Sequence, residues 1–431
     1  MNLQTLEHDL RTYRPAGMEN FPGDFVWPRY EGLSVGNIPA TIAQLLGNST
    51  VNLLPPLRAD LLAGLDEDVR RVVLVLLDGL GWEQLQRMMA KDEELIFHQL
   101  QEQGRLLPLT SIFPSTTVNV LSTLRTGAPP IRHGLLAYEL YLRQWATAAE
   151  CITFSPIVDR GSAALVEWGL DAETFLPVPA LAHQLSIQGT LTYQVISNHI
   201  KSGALSRMYF RGVREVYGHY SASDFWLTVR RALHEHHAER CYISAYWSAV
   251  DTLAHLYGPR HETGLNEVRS LSYLLQRAFL DNLSPADREG TLLLITADHG
   301  QLETPVSQAI ILTEHPELAN MLTLPPVGEA RVPFFYVRGG DLEKARTYLE
   351  EHFGEQLICL ERQTILESGL LGPGEPYSEV PHRLGDLIAI TKGHATFVRT
   401  EEDAKRLPGR HGGLMSQEML VPLLAVRLED L

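Results

Sequence analysis

Arg71–Gly79 reads RVVLVLLDG and Thr291–Gly300 reads TLLLITADHG. Each is a near-continuous apolar run that ends in acidic and small residues. A strand covered on both faces has no polar side, so its sequence loses the alternation of a half-exposed strand. Cys241–Trp247 (CYISAYW), Val332–Val337 (VPFFYV) and Val421–Val426 (VPLLAV) have the same form. Helix patterns lie between them over Trp82–Met89, Asp224–His236 and Thr263–Asn282, the last with leucines at helical spacing. This alternation predicts an α/β core with a mostly parallel central sheet and helices on both faces. Residues 1–70 read as an irregular arm broken by Pro and Gly. Residues 138–235 do not repeat the strand–helix rhythm and read as a cap or insertion. Residues 300–385 read as a second excursion. The whole span 1–431 is expected to be a single domain.

The composition narrows the function. Among 431 residues, 36 basic side chains face 52 acidic ones, a net charge of −16. Nonspecific binding to nucleic acid or to an anionic membrane is therefore disfavoured. A negative surface can still enclose a cationic hole, and a bound metal is the simplest way to make one. Hydrophobic residues at 45 % and charged residues at 20 % are ordinary globular usage. Cys151, Cys241 and Cys359 are odd in number, widely spaced and without a CxxC pair. They read as reduced thiols. The stretch MNLQTLEHDLRTYRP lacks the apolar core of a signal peptide, and no run of about 18 apolar residues occurs. The expected location is the cytoplasm.

In open α/β sheets, ligands gather outside the carboxyl ends of the strands. Asp78 closes the first core strand. The Cys241 strand runs into SAVDTLAHLYGP, where Asp251 and His255 are four residues apart and share one helix face. The Thr291 strand ends in Asp298-His299-Gly300. His411, in RHGGL, precedes the last strand. Singly, each has an ordinary reading: a turn former after a strand, a solvated helical ion pair, a loop histidine. Together they place carboxylates and imidazoles at several strand ends, where buried polar heads need partners. In Pro114-Ser115-Thr116-Thr117 a helix begins. Its two threonines are either caps or the source of a hydroxyl at a helix N-terminus, where the dipole and free N–H groups favour an anion.

The pieces LLDG, PSTTVNVLSTLRTGAPPIRHG, DTLAH, TADHG and HGGLMSQEMLVPLL, in this order, resemble the alkaline phosphatase superfamily. Within it they are most similar to the type I phosphodiesterase/nucleotide pyrophosphatase family, phosphonoacetate hydrolase-like members included. The resemblance implies an alkaline phosphatase-like catalytic core and two divalent metal ions, zinc first and manganese or magnesium as alternatives. It assigns Asp251, His255 and His411 to one ion, and Asp78, Asp298, His299 and the nucleophile hydroxyl to the other. The family nucleophile lies nine positions before the Thr of a Thr-Gly helix end. Counting back from Thr126-Gly127 gives Thr117, with Thr116 as the rival. An Asn three places after the nucleophile often contacts phosphate. Here that position is Val120 and Asn119 stands one place early, so Asn119 is the candidate for substrate binding.

The implied reaction is hydrolysis of a phosphodiester or nucleotide pyrophosphate bond through a phospho-threonine, with a small phosphate ester or nucleotide as partner. A phosphomonoesterase or phosphomutase of the same superfamily is the alternative. The first needs an extra cation for a dianion, and the second needs cations in a mobile cap, where Lys and Arg are sparse and Lys201 and Arg211 belong to no motif. An iron oxygenase triad of two His and one carboxylate suits a small β-barrel rather than this alternation. His133 is expected to brace the loop after the helix. Asn198, His199 and the His234–His237 cluster read as surface groups. His394 is a candidate for the rim of the site. Arg125 lies about two turns down the helix from Thr117.

Overall fold

The computed structural model describes residues 3–15, 17–19, 21–49 and 54–431. Its centre is a seven-stranded sheet. In chain order its strands are β1 (Arg71–Leu77), β2 (Arg105–Thr110), β3 (Leu191–Ser197), β4 (Glu215–His219), β5 (Cys241–Trp247), β6 (Thr291–Thr296) and β7 (Leu420–Arg427). Across the sheet they run β2-β7-β6-β1-β5-β3-β4. β1 pairs in parallel with β5 and β6, and β3 pairs in parallel with β4 and β5. Every residue of β1, β5 and β6 is buried, as strands covered on both faces require.

Only β7 runs antiparallel, against β6 and β2. This direction matters for the site. The segment that enters an antiparallel strand arrives at the same sheet edge as the segments that leave its parallel neighbours. His411, ahead of β7, thus meets Asp78 after β1 and Asp298 after β6.

Two expectations are corrected. Residues 138–235 do not form one cap. Glu139–Leu142, Thr147–Glu150 and Ser155–Pro156 belong to a second, antiparallel sheet, whereas β3 and β4 extend the central one. Val332–Val337 is not a central strand either. Its Pro333–Phe335 lies in the second sheet between Val327–Gly328 and Leu387–Thr391. It is apolar because the second sheet also packs into the core: Phe334 and Phe335 are fully buried. An apolar run reports burial and says nothing about which sheet provides it. The excursion read over 300–385 supplies further elements of that sheet and the helix Leu342–Phe353. The arm read over 1–70 includes helices Leu3–Thr12 and Ile38–Leu45; its residues 1, 2, 16, 20 and 50–53 lie outside the described set. Among the described residues, no helix is long and apolar enough to cross a membrane.

Candidate active site

Two helices and three loops deliver the polar heads to one edge of the sheet. α1 (Thr117–Thr126) follows β2, and α2 (Ala249–Tyr257) follows β5. Thr116 takes the position just before α1 in extended backbone, but its side chain makes no capping bond. Its hydroxyl bonds Glu329 instead, and burial pushes that carboxyl up to about 7. Thr117 is the first helical residue, and its Oγ1 lies 3.1 Å from His299 Nε2. Gly79 lets the end of β1 press against α2. Its φ is +75°, and a Cβ there would sit 2.8 Å from Asp251 Cα, so no side chain fits. The loops are tied together as well. Leu302 pairs with Arg410, and the Ser115 amide donates to the Gly412 carbonyl at 3.1 Å.

The protonation of the three imidazoles follows from their backbone partners. A carbonyl only accepts, so a ring nitrogen that bonds one must carry the hydrogen. His299 Nδ1 bonds the Gly300 carbonyl at 3.1 Å, His255 Nδ1 the Gly409 carbonyl at 2.7 Å, and His411 Nδ1 the Ser115 carbonyl at 3.0 Å. In its neutral form each ring therefore presents its lone pair at Nε2, and that of His299 meets the Thr117 hydroxyl. His299 Nε2 also faces Asp298 Oδ2 at 3.4 Å and Asp78 Oδ1 at 3.6 Å. His255 Nε2 and His411 Nε2 face each other at 3.2 Å, with Asp251 Oδ1 at 3.4 and 3.8 Å.

Lone pairs aimed at lone pairs repel unless a cation lies between them. The carboxylates agree. Asp298 Oδ1 accepts from the Gly79 and His299 amides at 3.0 and 2.9 Å, and Asp78 Oδ2 accepts from the Tyr246 hydroxyl. The other oxygen of each, Asp78 Oδ1 and Asp298 Oδ2, is buried without a partner. These are the two oxygens that face His299. Burial and the charges of Asp298 and Asp251 hold the Asp78 carboxyl well above its usual range. Burial, then His299 and His255, hold His411 well below its own. One anchored and one free oxygen on Asp78 and on Asp298 is how metal ligands are oriented, so these residues fit a divalent cation. Among the described residues two such groups stand out, Asp78 with Asp298 and His299, and Asp251 with His299 and His411.

A cavity of about 390 Å³ opens onto Thr117, Asp251, His255 and His411. Asp78, Asp298 and His299 lie behind them, fully buried. Other sequence candidates fall elsewhere. Asn119 does not face the cavity. It is buried, and its Nδ2 donates to the Pro114 carbonyl at 2.8 Å, so it braces the loop that presents Thr117. His133 bonds Thr123 Oγ1 and accepts from the Leu135 amide, and burial pushes it down to about 3. Arg125 bonds Ser244 Oγ at 2.8 Å. His394 bonds the Glu303 carbonyl, and His236 stacks on Tyr193.

Sequence reading missed Tyr246, which anchors Asp78, and Gln301, whose Nε2 donates to Asp251 Oδ1. Tyr246 is hidden inside an apolar strand. The only signal for Gln301 is its place two residues after His299.

The family described as Type I phosphodiesterase / nucleotide pyrophosphatase matches residues 72–414. Among solved structures, phosphonoacetate hydrolase from Sinorhizobium meliloti 1021, in complex with phosphonoformate, is similar at TM-score 0.60 and 18 % identity, over 82 % of this chain and 89 % of that one. Murine ectonucleotide pyrophosphatase / phosphodiesterase 5 gives 0.59 and 17 %, over 82 % and 87 %. An inactive variant of the murine protein is in complex with AMP. The comparison with curated proteins found no match.

Proposed function

Because the chain belongs to the type I phosphodiesterase / nucleotide pyrophosphatase family, of the alkaline phosphatase superfamily, we propose that Thr117 is the nucleophile of a two-metal phosphodiesterase or nucleotide pyrophosphatase. A single observation carries this reading. Thr117 Oγ1 lies 3.1 Å from His299 Nε2, which also faces the unpartnered oxygens of Asp78 and Asp298, and Thr117 lines one cavity with Asp251, His255 and His411. Asp251, His255 and His411 would hold one divalent ion, and Asp78, Asp298, His299 and Thr117 the other. Zinc suits the nitrogen-rich set, and manganese or magnesium would be accepted by the oxygen-rich one. Bound there, such ions supply positive charge that favours the ionised hydroxyl and neutralises phosphoryl oxygens.

The protein's own part is positioning. α1 presents Thr117 Oγ1 to the phosphorus of a substrate lying in the cavity. The Oγ1–P bond forms as the ester or anhydride oxygen leaves, and water then cleaves the phospho-threonine. The first-turn amides of α1 have no acceptor within the helix and are available to non-bridging oxygens. A small phosphate ester or nucleotide is the proposed substrate. The free thiols Cys151, Cys241 and Cys359 suit a reducing compartment, and the cytoplasm is the proposed location.

The test is a metal-supplemented assay with bis(p-nitrophenyl) phosphate beside p-nitrophenyl phosphate, on wild type and Thr117→Ala. Diester preference that disappears in the variant supports the proposal. Equal turnover by the variant removes Thr117, and monoester preference removes the diesterase.

A further inference from the structure

We propose that Arg406 and Arg410 form an anion subsite at the cavity mouth, which holds a second oxyanion of the substrate, a phosphate or carboxylate beyond the group that is cut. This rests on the hydrolase reading above and deepens it.

Both arginines line the same cavity as Thr117, Asp251, His255 and His411. Arg410 immediately precedes His411 in the chain. Neither arginine makes an ion pair among the described residues. Arg410 Nη2 donates to the Asp403 carbonyl, and Arg406 is exposed.

The nearby acids are occupied or poorly charged. Asp403 Oδ2 accepts from the Thr400 amide and hydroxyl at 3.3 and 2.9 Å, closing the start of its own helix. Glu329 has its carboxyl pushed up to about 7 by burial. The contrast lies in the same cavity, where Arg160 and Arg399 both pair with Glu139. In a chain of net charge −16, two adjacent guanidinium groups without a carboxylate partner stand out.

The ordinary reading is that Arg410 caps helix Glu401–Arg406 and that Arg406 sits well at the negative end of its dipole. That accounts for one N–H of Arg410. It leaves two like charges at one cavity wall, the half-buried Arg410 and the exposed Arg406, an arrangement that a bound anion would relieve. The planar fork of arginine matches a phosphate or carboxylate with two parallel hydrogen bonds. A substrate whose reacting phosphoryl group lies at Thr117 would extend its second oxyanion toward this pair.

The experiment is calorimetric titration of the metal-loaded, full-length wild type, Arg406→Ala and Arg410→Gln with orthophosphate, inorganic pyrophosphate and phosphonoacetate. Wild type is expected to bind pyrophosphate or phosphonoacetate at least about tenfold more tightly than orthophosphate. Which of the two gains more identifies the second oxyanion. Each substitution is expected to erase most of that preference while orthophosphate affinity stays within about twofold.

A wild type without the preference, or that binds none of the three, overturns the subsite. So does a preference that survives both substitutions. Equal loss for all three anions also overturns it and assigns the arginines to the reacting group itself. Parallel turnover of bis(p-nitrophenyl) phosphate by wild type and Thr117→Ala separates the two readings. An intact anion preference with no Thr117-dependent turnover sinks the nucleophile and leaves the subsite standing.

Discussion

The two proposed ligand clusters differ in depth and in chemistry. Asp78, Asp298 and His299 are sealed behind the cavity, with two carboxylates and one imidazole. Asp251, His255 and His411 face it, with one carboxylate and two imidazoles. The deep cluster carries the electrostatic conflict: Asp78 is driven up by burial and by two neighbouring acids. In the outer cluster Gln301 already neutralises part of the demand at Asp251 Oδ1. The difference teaches that a cation is needed most where one oxygen of each buried carboxylate has no donor, while the outer cluster lines the cavity.

Substitutions can break or sharpen that contrast. The largest effect is expected from Thr117→Ala, which should lower kcat by at least about 10³-fold. Its melting temperature should stay near that of wild type, and steady-state kinetics beside a thermal melt checks both.

Next is Asp78→Asn. It should lower metal-dependent turnover by about 10²-fold or more, yet stabilise the chelator-treated protein by about 1 kcal/mol, because it removes a buried like charge. Asp251→Asn should lose turnover without that stabilisation. Melting curves with and without chelator would show it, and equal stabilisation by both variants would erase the distinction between deep and outer clusters.

Tyr246→Phe should follow, weakening metal affinity by about 10-fold through the loosened Asp78 carboxylate while the thiols and overall fold stay intact. Competition with a metal indicator measures it. The smallest effect is expected from Gln301→Ala, a few-fold change in turnover, because Asp251 in the outer cluster can recruit water. A larger loss than that of Tyr246→Phe would reverse the proposed order of the two clusters.

Much of the scaffold was legible in the chain. β1, β5 and β6 announce themselves because burial on both faces removes polar alternation, and local burial needs no knowledge of partners. Asp78, Asp298 and His299 were readable because they terminate such strands. Val332–Val337 misled for the same reason: it is equally apolar but packs in another sheet. The interval 138–235 misled because it mixes strands of both sheets, and β4 is only partly buried. Asn119 misled because a helix face cannot be assigned without knowing what the loop before it needs. Its amide is spent on Pro114.

The amino-acid order alone determined which segments become buried strands, which heads end them, and that an acidic protein carries a set of ligand-type side chains. Only the folded arrangement decided that β7 runs backwards and brings His411 to the edge where Asp78 and Asp298 emerge. Only it decided which nitrogen of His255 and His411 faces the other ligands, since backbone carbonyls of distant segments hold their Nδ1 atoms. The physical reason is range. Burial pattern is local along the chain, whereas a convergence of lone pairs depends on segments hundreds of residues apart.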